Sequence, residues 1–431
     1  MHTWSVQANW KGPTIVGGKG ALFWDDQGNT YIDMSSMAEC SNLGHQHPRV
    51  VDAIREQVAE MAFVTMAWGA KPRAELASRL LELSGFEGGR VLFTLAGADA
   101  NENAVKLARW ATNKPVGKVI TRYRSYHGAT QAAMEFSGDD RGWTYAPGTP
   151  NVVHAVPPYC YRCPLGLQYA SCGIRCADHI ADLIAWEGAS SVAAVMLEPH
   201  AGTNGIIAPP EYWPRVREIC RRHDVLLIAD EVMSAFGRVG HWFAWQQYGE
   251  AGQPDLMTLA KGLTGAHIPL GAVVISRKVA EYFETRMLYT GLTYSGHPLA
   301  CAAGLAALNA YRDEDLLHRS QDLGERMHHV LRFLVESHPS IGEIRGQGMF
   351  AVIELVKNRR TKEPLAPWPQ TAPSLRKLVD EGRKRGVSLA VRGNLIILAP
   401  PLNIEQRHMI HAIEVLDKLL AVCDADVVPD E

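Results

Sequence analysis

The chain has 431 residues, of which 47% are hydrophobic and 21% are charged, with a net charge of -3. This length predicts at least one large hydrophobic core and more than one domain, while the small net charge argues against a dedicated nucleic-acid surface. The sequence contains no run of about 18 apolar residues, which argues against a transmembrane helix, and eight cysteines in so long a chain are too few for a disulfide scaffold.

The first residues, Met1 to Gln7, contain neither the basic segment nor the apolar stretch of a signal peptide. Thiols in a reducing compartment normally stay free. A cytoplasmic location is therefore the default expectation, without a membrane or nucleic-acid partner.

Short apolar runs alternate with helical patterns through the first two thirds of the chain. Strand-like pieces at residues 21–24 and 30–34 are too few to fold alone, so we expect residues 1–54 to join the C-terminal part. Further strands are predicted at residues 90–94, 118–122, 193–198, 225–230, 256–260 and 271–276. Most are separated by enough residues for a crossover helix, and residues 100–111 show a helix with one apolar face. Residues 55–298 are therefore expected to form a large α/β domain with a mainly parallel, doubly wound sheet.

From about residue 299 the pattern changes. Long helical segments are predicted at residues 305–335 and 372–385, with strands at residues 349–356 and 394–398. Residues 299–431 are therefore expected to form a smaller α+β domain.

The most informative motif is an apolar run over residues 226–230 that ends in Asp230, followed after a second apolar run by Lys261. Ligands collect beyond the carboxyl ends of strands in open α/β sheets. A buried carboxylate there needs a cationic partner, such as the protonated ring nitrogen of pyridoxal phosphate, and Lys261 can hold the aldehyde of that cofactor as a Schiff base. Taken alone, Asp230 reads as a helix cap and Lys261 as surface, so the ordered pair carries the interpretation.

A phosphate site is predicted where the run from Phe93 to Glu102 passes through a glycine turn into a helix. A helix start presents unpaired N–H groups to an anion, although a plain strand-to-helix turn remains the alternative. Tyr126 follows another predicted strand and can lie over a flat heterocycle, or can simply be a core or interface tyrosine.

Over residues 20–402 the chain resembles the class III aminotransferases, the ω-transaminase group of fold type I pyridoxal phosphate enzymes. Asp230-Glu231-Val232 with Phe236-Gly237-Arg238-x-Gly240 resembles the signature of that family. The resemblance implies that Asp230 binds the pyridine nitrogen, that Val232 packs against the ring and that Lys261 is the Schiff-base lysine. It also implies ping-pong transamination through pyridoxamine phosphate.

Other positions match the family as well. Gly97 and Ala98 match the phosphate-binding turn, although Ala98 replaces a hydroxyl residue often found there, and Tyr126 matches the residue stacked on the cofactor. Thr293 matches a threonine that reaches the phosphate of the neighbouring subunit. The resemblance therefore implies a homodimer with shared active sites, and leaves a tetramer open.

Arg392 lies in a segment that resembles the family's carboxylate-binding arginine, and guanidinium pairs with carboxylate in a two-pronged fork. Its alternative is a surface arginine. Thr203 stands where glutamate-using members have an acid that masks this arginine. We therefore expect pyruvate rather than 2-oxoglutarate as acceptor, with taurine, β-alanine, a related ω-amino acid or a simple amine as donor.

Several other functions stay open. A 2-oxoglutarate-linked aminotransferase, or an aminomutase, racemase or decarboxylase, would use the same cofactor. A non-catalytic binding homologue is the remaining class, and the presence of both Lys261 and Asp230 argues against it.

A cluster of four cysteines lies in one segment, at Cys160, Cys163, Cys172 and Cys176. These gaps are compatible with a structural zinc, a disulfide or buried thiols. The spacing is not a double C-x-x-C and the aminotransferase chemistry needs no metal, so we predict no metal site.

Overall fold

A computed structural model gives the fold and describes residue 3, residue 8, and residues 12–143 and 151–428. Most of residues 1–7, in which the sequence shows no signal-peptide pattern, lie outside these ranges. The strands are β1 (Ile15–Lys19), β2 (Leu22–Asp25), β3 (Thr30–Asp33), β4 (Arg90–Thr94), β5 (Lys118–Arg122), β6 (Val152–Ala155), β7 (Val192–Leu197), β8 (His200–Ala201), β9 (Ile206–Ile207), β10 (Leu226–Asp230), β11 (Leu256–Leu259), β12 (Gly271–Ile275), β13 (Ile341–Gln347), β14 (Phe350–Asn358), β15 (Glu363–Pro364), β16 (Val387–Ser388), β17 (Ala390–Arg392) and β18 (Leu395–Leu398). The helices are α1 (Ser36–Glu39), α2 (Pro48–Glu60), α3 (Lys71–Ser84), α4 (Gly97–Ala111), α5 (Gln131–Phe136), α6 (Arg175–Glu187), α7 (Tyr212–Arg222), α8 (Arg277–Glu281), α9 (Pro298–Asp313), α10 (Leu316–Ser337), α11 (Pro373–Lys384) and α12 (Gln406–Asp424).

A seven-stranded sheet with the order β4-β12-β11-β10-β7-β5-β6 forms the centre of the molecule. The pairs from β11 to β6 are parallel, and β12 runs antiparallel to both of its neighbours. Every residue of β7, β10 and β11 is buried. Strands that are buried along their whole length are expected where helices cover both faces of a parallel sheet.

The predicted strands of this sheet are confirmed to within one residue, and α4 contains the predicted helix. The buried face of α4 includes Ala100, Ala104, Leu107 and Ala108, a helical spacing that packs small side chains on the sheet. β6 was not predicted. It is an edge strand with mostly half-buried residues, so its sequence lacks a continuous apolar run.

The N-terminal strands and the last third of the chain share a second sheet. β3 pairs in parallel with β16, with Ile32 opposite Val387. A further five-stranded sheet contains β13, β14, β15, β17 and β18. The first strands of the described chain are therefore joined directly to its last third.

One predicted helix was wrong in its extent. Residues 305–335 belong to two helices, α9 and α10, which are separated at Asp315. Asp315 has a φ of 50°, a left-handed conformation that aspartate adopts more easily than most residues.

No helix within the described ranges combines the length and apolarity needed to cross a bilayer.

Candidate active site

A pocket of about 660 Å³ opens where β4, β5, β7, β10 and β11 end. Six predicted site residues line it together, namely Gly97, Ala98, Tyr126, Asp230, Val232 and Lys261. Parallel strands deliver the residues that follow them to one edge of the sheet, which is why residues far apart in sequence meet here.

Asp230 is the last residue of β10, and only 3% of it is exposed. Its Oδ2 accepts hydrogen bonds from Nδ1 of His127 at 2.7 Å and from Nδ2 of Asn101 at 2.8 Å, and its Oδ1 accepts from the backbone N–H of Val232 at 3.0 Å. Asn101 in turn accepts a hydrogen bond from Thr258, in the neighbouring strand β11. The carboxylate is therefore fixed in position at the base of the pocket.

Sequence reasoning missed His127 and Asn101. His127 is buried, and among the described residues its Nε2 has no hydrogen-bond partner. A carboxylate can only accept, so Nδ1 is the nitrogen that carries the proton toward Asp230. The one signal available was that His127 directly follows Tyr126.

Lys261 begins a short turn after β11, and its Nζ lies 2.9 Å from Oε2 of Glu39. The side chains are 25% and 9% exposed, respectively. Burial alone would lower the pKa of Lys261, but Glu39, with smaller effects of Cys40 and Asp230, outweighs it and raises the pKa above its ordinary value. The amine is therefore held as an ammonium ion in this state.

Glu39 was not a predicted site residue. It ends α1, a single turn in which all four residues have left-handed φ angles of 47° to 68°. Buried Asp33 accepts hydrogen bonds at the start of this turn, from N and Oγ of Ser35. Buried Arg238 binds Oγ of Ser36 and Oδ1 of Asn42 on its other side. Non-glycine residues rarely adopt this conformation, and the two buried side chains stabilise it.

The predicted phosphate turn is the start of α4. The carboxylate of Asp99 accepts hydrogen bonds from the backbone N–H groups of Leu95 and Ala96, both at 2.7 Å. The N–H groups at the start of the helix, from Gly97 and Ala98, remain for an anion. A Cβ atom at position 97 would lie 3.0 Å from both Cγ atoms of Val232, which is tighter than an ordinary van der Waals contact, so glycine allows the close approach of the helix start to Val232.

Tyr126 contributes its ring to the pocket, and the guanidinium carbon of Arg141 lies 3.5 Å from the ring centroid. One face of the ring is therefore covered by a guanidinium group. Beneath it, Glu198 binds Arg122 at 3.3 Å, and burial raises the pKa of Glu198.

Arg392 does not line this pocket among the residues described. Its Nη2 binds Oδ2 of Asp139 at 3.2 Å and also contacts Asp140. Thr203 does line the pocket and, as expected, provides no acid. Although position 203 provides no acid, Arg392 is paired with the carboxylates of Asp139 and Asp140, which lie between α5 and β6.

Thr293 lies away from the pocket on the surface. It is exposed, and so are its neighbours Leu292 and Tyr294. Within the described part of this subunit, nothing brings Thr293 to the helix start at Gly97.

The four clustered cysteines line a narrow cavity of about 20 Å³. All of them are free thiols. Burial raises the pKa of Cys160 to about 11 and that of Cys176 to about 12, and neighbouring cysteines of the cluster add to both shifts. Across residues 12–143 and 151–428, no group of three or more His, Cys, Asp or Glu side chains is arranged to hold a metal ion.

The residues of the pocket fit pyridoxal phosphate. Lys261 would supply an amine for its aldehyde, Asp230 a fixed buried carboxylate for its ring nitrogen, and the start of α4 N–H groups for its phosphate. Val232 and the aromatic residue Tyr126 line the same pocket and could pack against a flat ring.

Comparison with known proteins agrees with this geometry. A sequence profile of the family described as aminotransferase class-III matches residues 6–420. Putrescine–pyruvate aminotransferase of Pseudomonas aeruginosa is 34% identical, over 96% of this chain and 92% of that protein. Leucine/methionine racemase of Thermococcus litoralis is 35% identical, over 96% and 92% of the two chains.

Among solved structures, taurine:2-oxoglutarate aminotransferase from Bifidobacterium kashiwanohense, in complex with PLP and glutamate, superposes with a TM-score of 0.94. It is 38% identical, with 99% of this chain and 96% of that chain covered. The chain therefore belongs to the class III aminotransferases, enzymes of fold type I that use pyridoxal phosphate.

Proposed function

We propose that this aminotransferase moves the amino group of an ω-amino acid, such as taurine or β-alanine, or of a simple amine to pyruvate. The observation that carries the proposal is that one pocket holds the amine of Lys261, the fixed carboxylate of Asp230 and the start of α4. Keto acid and amine would enter this pocket in turn, in ping-pong order.

Each residue has a stated role in this proposal. Lys261 holds the aldehyde of the cofactor, Asp230 faces the ring nitrogen, and Val232 and Tyr126 enclose the ring. The bound cofactor acts as an electron sink for the pair left behind when the donor loses a proton. The Lys261 amine, once released, carries that proton.

Substitution of Lys261 tests the assignment. Lys261→Ala should end multiple turnover and remove the phosphopyridoxyl label that borohydride reduction leaves on cofactor-saturated wild-type protein. Intact mass and peptide mapping measure the label, and Lys278→Ala, a change at an exposed lysine, is the matched control. A label of wild-type intensity in Lys261→Ala would reject the assignment.

Arg392 is the proposed anchor for the carboxylate of the acceptor. It ends β17, and its guanidinium already binds carboxylates, those of Asp139 and Asp140. An acceptor would have to exchange with them. Pyruvate is favoured by the absence of an acid at Thr203, and the P. aeruginosa relative is named for the same acceptor.

2-Oxoglutarate is the second candidate acceptor. Arg141 and Arg392 both contact Asp139, so two guanidinium groups stand close together, as two carboxylates would require. The similar B. kashiwanohense enzyme is named for 2-oxoglutarate. Half-reaction rates with L-alanine and L-glutamate distinguish the two, and faster conversion of glutamate would select 2-oxoglutarate.

Racemisation is the second candidate reaction, because the T. litoralis relative is named a racemase. Transamination consumes pyruvate and releases a carbonyl product from the donor, whereas racemisation does neither. Chiral chromatography of leucine and methionine, run beside an assay for alanine, separates the two activities.

We further propose that the active unit is a homodimer in which Thr293 reaches the phosphate of the neighbouring subunit. Exposed apolar side chains lie close to Thr293 in sequence, with Tyr289 and Met287 78% and 71% exposed. Trp68 and Met66, before α3, are exposed as well, and Phe63 contacts Tyr294 ring to ring at 5.4 Å. Large apolar surfaces of this kind are typical of protein interfaces.

We also propose the division into residues 1–54, 55–298 and 299–431. All strands of the central sheet fall within the middle range. The pairing of β3 with β16 supports placing the first segment with the last. Limited proteolysis near residues 54 and 298 would test these boundaries.

A further inference from the structure

Glu39 contacts the amine on which the proposed reaction depends. Its Oε2 lies 2.9 Å from Nζ of Lys261, and its side chain is 9% exposed. The next residue, Cys40, lines the active-site pocket. The carboxylate is therefore placed at the position where amino groups are exchanged.

The other carboxylates of the site have partners that the reaction does not use. Asp230 is bound by His127 and Asn101, and Glu198 is bound by Arg122. For Glu39, the hydrogen-bond partner in the described part of the chain is Lys261. Once the amine of Lys261 is joined to an aldehyde, its ammonium group no longer exists. Glu39 then keeps the electrostatic attraction of buried Arg238 but loses its hydrogen-bonded cation, which is costly for a buried carboxylate.

The incoming donor is a cation of the right kind. An aliphatic amine has a pKa near that of lysine, about 10.4, so at about pH 7 almost all of it is ammonium. Only the neutral amine can attack a carbon atom. The donor must replace Lys261 at the same carbon, so its nitrogen passes through the region that Nζ occupies, beside Glu39.

We propose that Glu39 is a catalytic residue that binds the incoming primary amine as its ammonium ion and accepts its proton. One N–H bond breaks and one O–H bond forms, which converts ammonium and carboxylate into neutral amine and carboxylic acid. The inference rests on the proposed aminotransferase function. In this proposal the carboxylate of Glu39 contacts two nitrogen atoms in succession, first that of Lys261 and then that of the donor.

The first test is the pH dependence of kcat/KM for 1-aminobutane in Glu39→Gln. At about pH 7 this value should fall tenfold to a hundredfold, because general acid–base groups contribute factors of this size and more. The deficit should narrow toward about pH 10, where much of the donor is already neutral. Glu39→Asp keeps the carboxylate and should retain the wild-type shape of the profile.

The second test uses cofactor-free protein and needs no turnover. Glu39→Gln removes the anion that holds Lys261 as an ammonium ion, so capture of added pyridoxal phosphate at about pH 7 should become faster, by about tenfold for each unit that the pKa of Lys261 falls. Stopped-flow absorbance measures the capture. Faster capture with slower use of the donor is a pair of opposite effects that general damage to the pocket would not produce.

Glu336→Gln, the same change at an exposed site on α10, is the matched control and should leave both rates unchanged. A wild-type kcat/KM profile in Glu39→Gln, or an equal loss at every pH, would overturn the role of Glu39. If the wild-type protein transfers no amino group from any amine to pyruvate or 2-oxoglutarate, the proposed function fails instead. The two failures are therefore distinguishable.

Discussion

The carboxylate of Asp230 receives hydrogen bonds from α4, from the loop after β5 and from the loop after its own strand. A carboxylate bound by three hydrogen-bond donors has little freedom to rotate. The proposed role requires this arrangement, because the carboxylate would have to face a protonated ring nitrogen without moving.

Asp230→Asn tests that role. The amide keeps the shape of the side chain but places an N–H group among donors, so the free energy of unfolding should fall by about 1–3 kcal/mol while the fold is retained. The amine half-reaction should slow by about a hundredfold or more. Urea unfolding and stopped-flow kinetics measure the two effects, and exposed Asp52→Asn is the control. An unchanged half-reaction would remove Asp230 from the mechanism.

The site residues that could be predicted from the sequence are those that follow a recognisable local pattern. Asp230 and Lys261 each follow an apolar run, and both line the pocket. Glu39 lies 222 positions before Lys261, and His127 lies 103 positions before Asp230. No local pattern connects such pairs, because the contact exists only after the sheet and the turn at residues 36–39 have formed.

Two elements that form the walls of the pocket, the start of α4 and the loop after β10, are closely packed against each other. The start of α4 approaches the loop after β10 so closely that a Cβ atom at position 97 would lie 3.0 Å from both Cγ atoms of Val232, and Val232 would have to shift. The wall is therefore sensitive to a single added methyl group.

We expect Gly97→Ala to lower the free energy of unfolding by about 1–3 kcal/mol, since it overpacks the contact with Val232. It should also weaken the affinity for pyridoxal phosphate by shifting the phosphate-binding N–H groups. Thermal unfolding and cofactor titration measure both. Gly69→Ala, where a Cβ would meet open space, should change neither, and an equal response of the two variants would contradict the packing argument.

His338 links the end of α10 to α12. Its Nδ1 lies 2.6 Å from Asp424 and its Nε2 lies 2.9 Å from Asp417. Burial alone would lower the pKa of His338, but the two carboxylates outweigh it and raise the pKa above the ordinary 6.5. A raised folded-state pKa gives stability that is fully present below the unfolded pKa and is lost as pH rises through the folded pKa.

The substitution His338→Gln should therefore reduce the free energy of unfolding most strongly at low pH. Below about pH 6 the loss of charge-assisted hydrogen bonds should reduce the free energy of unfolding by about 1.5–3 kcal/mol, and the difference should shrink toward about pH 9. Urea unfolding at both pH values measures it. His329→Gln, on an exposed position of the same helix, should show no such trend. A constant difference across this range would exclude the ion pairs as its source.

Helices and strands were predictable where a continuous apolar run or face decides the structure, as in β10 and α4. The break between α9 and α10 was not, because it depends on one left-handed residue, Asp315, in a stretch that is otherwise helical. The left-handed turn of α1 was equally hidden, since the side chains that stabilise it come from elsewhere in the fold.

On the scale of the whole molecule, the exposed apolar surface around Thr293 predicts association. The double variant Met287→Lys, Tyr289→Glu should sediment as a monomer and lose activity, because a charged interface is strongly disfavoured. Phe333→Glu, which changes another exposed aromatic residue on α10, should keep the wild-type sedimentation coefficient. Monomeric wild-type protein with full activity would contradict the proposed shared site.

The fold and the family can be predicted from motifs that are spread along the chain. The identity of the keto acid acceptor cannot be predicted in this way. Arg392 was identifiable from its segment, but the aspartates that bind it lie about 250 positions earlier in sequence, in a loop with no signature of its own. Charge balance at such a site depends on which elements meet, and the sequence alone does not show this.

Arg238 also has a consequence for how the protein is made. This buried side chain donates to Ser36 and Asn42 near the beginning of the chain, and to the carbonyls of Met349 and Pro400 near its end. On the ribosome, a nascent polypeptide that has already completed the central sheet still lacks the last two acceptors. The guanidinium of Arg238 can therefore complete its set of hydrogen bonds only after translation has passed Pro400.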